Sequence, residues 1–254
     1  APATVMAIGS NVIPQMEKHG YDRGYATALA STAGTIGVII PPSIPFVIYG
    51  VVSGASISDL FVAGIIPGIL IGIVLMVVNY IYARKYGYGG EGRASFREFL
   101  HELKDAIWAL LVPVIILGGI YGGIFTPTEA AAVSVVYGLF VGVFIYREVK
   151  WKDMGELLVD SGKTTGGIML IIGSATLFAY ICTIHGISQA AQGLLLDIAG
   201  NKIVFLLIVN VIFLIAGCFV DANSAMYIFI PIMYPVAQQL GINLVHFGVL
   251  STVN

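Results

Sequence analysis

Residues 25–52 form an apolar stretch longer than the roughly 20 residues that a helix needs to cross a bilayer, yet Pro41-Pro42-Ser43 stands near its middle. Hydrocarbon offers no water to a backbone N–H or C=O, so a spanning segment must pair its own polar groups. Two consecutive prolines remove two donors and free carbonyls one turn back. Such a break is tolerated at membrane depth only where protein buries it or where it lines a wet cavity. The stretch therefore predicts an interrupted helix inside a larger membrane assembly.

Composition supports the membrane reading. Of 254 residues, 58% are hydrophobic and 10% charged, and the mean hydropathy is +0.94. A soluble domain carries roughly 25% charged residues, so soluble folds are set aside. No basic stripe with interleaved aromatics is present, which argues against a nucleic-acid partner. Cys182 and Cys218 both lie in apolar runs and read as small buried hydrophobes. There is no Gly-x-x-x-x-Gly-Lys loop, so the energy for any transport comes from an ion gradient or another chain, and no cofactor is expected. Asp221, His185 and Glu129, the residues with chemistry to offer, lie in separate segments; an enzyme is not expected. Patterned sequence runs up to both ends, and we expect an internal stretch of a longer protein.

Further apolar stretches occupy 60–83, 105–125, 130–146, 166–184 and 203–220, with another at 226–237. The polar segments 84–104 and 147–163 hold nine of the twelve Lys and Arg residues and are placed on the cytoplasmic side by the positive-inside rule. Phe96, Phe99, Leu100 and Leu103 recur at helical spacing, predicting an amphipathic helix along the membrane surface. Residues 185–199 also read as amphipathic. The turn at 17–24 carries Lys18 and Arg23 and falls inside, whereas the turn at 238–246 carries neither residue type and falls outside.

Those two turns belong to a weak internal repeat. At an offset of 221 residues Pro14 matches Pro235, Gly20 matches Gly241, Leu29 matches Leu250, and Asp22 meets Asn243. With one turn inside and the other outside, the copies have opposite topology, a plan that recurs in secondary transporters built on broken helices.

Two groups of residues then stand out as a cation site. Pro41 and Pro42 free backbone carbonyls, Ser43 adds a hydroxyl, and Gly34 and Gly37 allow close backbone approach; these are hard oxygen ligands for an alkali ion such as sodium. A kink that serves packing alone is the competing account. The tip "DANS" brings Asp221, Asn223 and Ser224 between two apolar arms, where a carboxylate is expensive. Asp221 reads equally as the N-cap of the following helix. In "FTPTEAAA", Thr126 and Glu129 form a capping box around Pro127. Tyr80, Tyr82, Trp108, Tyr146 and Trp151 read as interfacial anchors.

Three stretches resemble one family throughout the chain: "PATVMAIGSNVIPQMEKHGYDRGYATALASTAGTIGVIIPPSIPFVIYG", "PVIILGGIYGGIFTPTEAAAVSVVYGLFVG" and "LGINLVHFGVLSTVN". They are similar to the large membrane subunit of tripartite ATP-independent periplasmic (TRAP) transporters. The resemblance implies sodium-coupled import of organic anions, such as C4-dicarboxylates, sialic acid or similar acids, across the bacterial inner membrane. It implies as partners a small membrane subunit of about four helices, a periplasmic substrate-binding protein and the lipid bilayer. The expected fold is an all-α polytopic membrane protein of elevator type, with inverted-topology repeats, broken helices and re-entrant hairpins. Residues 1–52 would form a first-repeat transport segment, 53–165 scaffold helices with cytoplasmic arms at 91–104 and 151–162, and 166–254 a second-repeat transport segment. One ion site would use the unwound Gly37, Pro41, Pro42 and Ser43, the other the tip of Asp221, Asn223 and Ser224. The family often has Asp-Pro where this chain has Asp221-Ala222. A stand-alone sodium-coupled carboxylate symporter of similar architecture is the alternative.

Overall fold

The computed structural model describes residues 2–88 and 95–254. Arg93 and the first residues of the expected arm at 91–104 lie outside that set. All regular elements among the described residues are helical, and the chain divides into two compact units, Ala1–Ser43 with Gly64–Ser134, and Ile44–Ala63 with Val135–Asn254.

In the first unit α1 (Pro2–Lys18) and α2 (Arg23–Ile39) form a helix–turn–helix. They approach closely because Gly34 has no side chain: a Cβ there would lie 2.2 Å from Val5 Cγ2. One flank of α2 meets α4 (Ile57–Tyr86). Tyr25 stacks on Tyr82 with centroids 3.6 Å apart and donates its hydroxyl to Asn79 Oδ1 at 3.2 Å. Tyr82 therefore packs within the protein as part of a tyrosine cluster that includes Tyr86 and Tyr88. α5 (Phe96–Tyr121) follows, and then the start of α6 (Pro127–Phe140), which continues as a wider π-type turn at Val141–Ile145.

The second unit holds the largest fully buried side chains, among them Phe46, Tyr49, Phe61, Phe205, Met226 and Phe247. They come from α3 (Ile44–Ser53), the start of α4, α9 (Lys202–Gly217), α10 (Ala222–Gln239) and α11 (Leu244–Val253). Tyr49 is wholly buried, and its hydroxyl donates to the Leu244 carbonyl at 2.7 Å, which satisfies the one polar atom of that side chain. The Tyr49 ring lies against Gly248, where a Cβ would be 2.5 Å from Cε1 and 2.7 Å from Leu60 Cδ2. α7 (Met154–Ile184) and α8 (Ile187–Ala199) complete the unit.

Three helical stretches are long and apolar enough to cross a membrane, Ile57–Tyr86, Pro127–Ile145 and Trp151–Ile184, and α2 with α3 makes a fourth, bent span. Their apolar side chains point outward: Ile66 is 76% exposed and Leu170 74%. Apolar surface on this scale belongs in lipid or against other membrane helices, and the chain is an all-α polytopic membrane protein.

The structure joins what the sequence divides. α5 carries its amphipathic turns and the apolar stretch Ala106–Tyr121 on one helix, and Trp151–Ile184 likewise runs from polar to apolar without a stop. A change of side-chain polarity removes no backbone donor, so the i→i−4 ladder runs through it. Cys182 is buried as expected, whereas Cys218 is exposed, because it lies just past the end of α9.

The 221-residue repeat is present in the backbone. His19 N–H donates to Gln15 O, as Leu240 does to Val236; Tyr21 donates to Met16, as Ile242 does to Ala237. Gly20 and Gly241 both take positive φ, +87° and +66°, the glycine-terminated helix end that an αL residue permits. Asp22 caps α2 and Asn243 caps α11 through side-chain oxygens. We predict that Gly248→Ala lowers the thermal midpoint of the purified protein by an overpacking cost of about 1–3 kcal/mol. Gly118→Ala, inside α5 where a Cβ meets nothing within 4 Å, should instead stabilise by about 0.5–1 kcal/mol.

Candidate ion site

α2 ends where its last ladder bond, Ile40 N–H to Ile36 O at 2.9 Å, closes the final turn. Pro41 and Pro42 have no N–H, so the carbonyls of Gly37 and Val38 receive no i+4 donor. α3 resumes at Ile44, bent by 42° from α2. The Pro41-Pro42 peptide is cis. Ser43 is only 2% exposed and Pro41 is buried, while Gly37 and Pro42 are exposed. Of the residues predicted for the first ion site, Pro41, Pro42 and Ser43 lie in the short unwound run, whereas Gly37, expected to be unwound, stays in the last turn of α2 and contributes a carbonyl without an i+4 donor. That donor chemistry suits a hard monovalent cation, as unwound backbone does in secondary transporters.

The second group forms one turn at the tip of the α9–α10 hairpin. Asp221 Oδ2 accepts from Asn223 N–H at 3.0 Å and from Ser224 N–H at 3.3 Å, and Oδ1 accepts from the Ser224 hydroxyl. The capping role is therefore realised, and one carboxylate holds all three predicted residues together. α9 has 16 residues and α10 has 18, giving lengths of about 24 and 27 Å at 1.5 Å per residue. Both fall short of the roughly 30 Å hydrocarbon core, as arms of a re-entrant hairpin should. At the open end Lys202 Nζ donates to Gly241 O at 3.0 Å, a cation on the carbonyl-rich end of α10. Phe213 and Phe229 meet edge to face between the arms, 5.8 Å apart.

The first group lies in one compact unit and the second in the other, and each is defined within its own unit. Thr126 and Glu129 form the expected capping box, with Thr126 N–H and hydroxyl both 2.8 Å from Glu129 Oε2. His185 closes the end of α7. Among the described residues no three His, Cys, Asp or Glu side chains converge. The sequence reading passed over Ser188, Gln189 and Gln192, which line a cavity beneath α8. Their spacing on one helical face was the available signal.

Broken span, short-armed hairpin and backbone repeat are together the features that recur in membrane transporters built on repeats. The chain belongs to the family described as "Tripartite ATP-independent periplasmic transporter, DctM component", whose sequence profile it matches over residues 1–254. It is 44% identical over its whole length to the isethionate TRAP transporter permease protein DctMQ of Oleidesulfovibrio alaskensis, covering 40% of that protein. It is 43% identical to the C4-dicarboxylate TRAP transporter large permease protein DctM of Pseudomonas aeruginosa and 40% identical to the sialic acid TRAP transporter large permease protein SiaM of Vibrio cholerae, covering 60% of each.

Asp221→Ala should destabilise the protein by about 1 kcal/mol through loss of the cap. Asp221→Asn, which keeps an accepting oxygen, should hold the melting midpoint near that of the parent.

Proposed function

We propose that this chain is the ion-coupling part of a large permease subunit that imports an organic anion with sodium across the bacterial inner membrane. The observation that carries the reading is the break at Pro41–Ser43, within a chain that belongs to the TRAP permease family. A helix that forfeits two ladder bonds at membrane depth loses stability, and a bound cation compensates the freed carbonyls. Gly37, Pro41, Pro42 and Ser43 would supply one ion site through carbonyl and hydroxyl oxygens. Asp221, Asn223 and Ser224 would supply the other, with Asp221 capping α10 and lending charge. The two sites would belong to repeats of opposite orientation, on an elevator-like transport domain formed by 1–52 and 166–254, with 53–165 as scaffold.

The relatives supply the range of cargo. Their names specify isethionate, C4-dicarboxylate and sialic acid, all organic anions. By the same resemblance a periplasmic binding protein delivers the acid, and a small membrane subunit covers part of the exposed apolar surface. The chain spans 40% to 60% of the length of those relatives, so the activity is that of the full-length protein.

Uptake of labelled acid into proteoliposomes holding the full-length permease and its small subunit should require both an inward sodium gradient and the binding protein. Ser43→Ala and Asp221→Asn should each raise the sodium concentration for half-maximal uptake without reducing folded yield. Uptake indifferent to sodium would sink the ion-site reading. Uptake indifferent to the binding protein would favour a stand-alone symporter.

A further inference from the structure

One face of α4 stays bare and ends in a cation. Ile66, Ile69, Ile73, Val77 and Tyr80 follow one another at helical spacing and are all exposed. Arg84 comes one turn later on the same face and is exposed as well. We propose that this stripe binds an acidic phospholipid of the cytoplasmic leaflet, with an acyl chain along the apolar residues and the phosphate at Arg84 and Lys85.

Depth is the first argument. Leu60 to Ala83 carries no charged side chain, and Asp59 and Arg84 bound that run. Tyr80 stands about 30 Å along the helix from Leu60, and Arg84 about 36 Å. The hydrocarbon core is roughly 30 Å thick, and the headgroup layers bring the bilayer to about 40–45 Å. Tyr80 therefore lies at the edge of the hydrocarbon and Arg84 at the level of the lipid phosphates. The positive-inside rule makes this the cytoplasmic end, where acidic lipids attract basic residues that flank a span.

The pose of Arg84 is the second. Its Nε donates to the Tyr80 hydroxyl at 3.0 Å, and its guanidinium carbon lies 5.5 Å from the centre of the Tyr80 ring. The side chain thus folds back toward the hydrocarbon, whereas an unrestrained arginine at that depth carries its charge outward to water. Its terminal nitrogens keep their N–H donors, and Arg84 has no carboxylate partner among the described residues. A phosphate takes two parallel bonds from such a fork. Lys85 is the next residue, exposed and 5.5 Å from the Tyr86 ring, and it too has no carboxylate partner among the described residues.

The opposite side of the same turns is held in place. Tyr82 stacks on Tyr25 and meets Tyr86 with centroids 4.4 Å apart, and Tyr88 meets Tyr21 at the same separation. Tyr80 and Arg84 each stand two residues from Tyr82, about 200° around the helix, so the tyrosine cluster that grips α2 turns them outward. The turn that carries Tyr21 brings two acids and two bases. Glu17 pairs with Arg23 at 3.5 Å, Asp22 accepts from Tyr25 N–H in the cap of α2, and Lys18 balances it in sum. The surplus positive charge at this end belongs to Arg84 and Lys85.

The test uses the full-length permease with its small subunit in phosphatidylcholine vesicles, with the native cysteines replaced and a bimane on Val77→Cys, one turn below Tyr80. Brominated phosphatidylglycerol or brominated phosphatidylcholine is titrated in, and quenching of the bimane is followed. Phosphatidylglycerol should reach half-quenching at a mole fraction roughly tenfold or more below that of phosphatidylcholine. Arg84→Gln should lower that preference about fivefold, the scale of one basic residue near an acidic surface, and Arg84→Gln with Lys85→Gln should abolish it. Lys163→Gln, a cation that Asp160 already balances at 2.9 Å, should leave it unchanged. The preference is a ratio taken within one variant, so a lower folded yield does not imitate its loss. Inorganic phosphate at matched ionic strength should not displace the lipid. Equal quenching by the two lipids, or quenching by neither because protein covers the stripe, would overturn the assignment. So would an equal loss in Lys163→Gln, which would mean diffuse surface charge, or displacement by phosphate, which would mean a site for a soluble anion.

Discussion

A backbone polar group at membrane depth must be paired by the protein itself, and the organisation of this chain follows from how it meets that demand. Long helices meet it by i→i−4 ladders, and α4 continues for 30 residues although Pro67 removes one of its bonds. Helix ends meet it with side-chain oxygens: Asp22, Thr126, Asn201, Asp221 and Asn243 each accept from N–H groups of the turn that follows. At Pro41-Pro42 the demand is left unmet by the ladder, and that is where we place the proposed ion site.

Both ends of the backbone repeat use the same device. A glycine with positive φ stops the first helix, and an Asx oxygen starts the next three residues later. Few identities are needed to keep this arrangement, because the device depends on one residue without a Cβ and one short polar side chain. That explains why the two copies diverge in sequence while their main turn hydrogen bonds correspond.

The features legible in the sequence were those fixed by local chemistry. The proline break, the Thr126–Glu129 box, the Asp221 cap and the glycine turns each depend on residues within about one turn of each other, and the structure realises all of them. What stayed hidden depends on partners distant along the chain or on the direction a helix faces. Nothing near Tyr49 announces that its hydroxyl reaches Leu244. The polar side of α8 was visible as a pattern, but a pattern does not say whether that side turns to solvent or inward. The merging of amphipathic and apolar stretches in α5 and α7 was missed because composition changes there while the backbone does not.

The bond from Tyr49 to Leu244 joins residues 195 positions apart. Half of the broken helix, α3, is thus packed by α10 and α11, which leave the ribosome much later. At roughly 5–20 residues per second that delay is on the order of 10–40 s. Through that interval α3 stands in the membrane without the neighbours that bury Phe46 and Tyr49. The order of synthesis therefore leaves the second half of the interrupted span among the last parts of the protein to reach its final surroundings, and insertion machinery has a period of many seconds in which to shelter it.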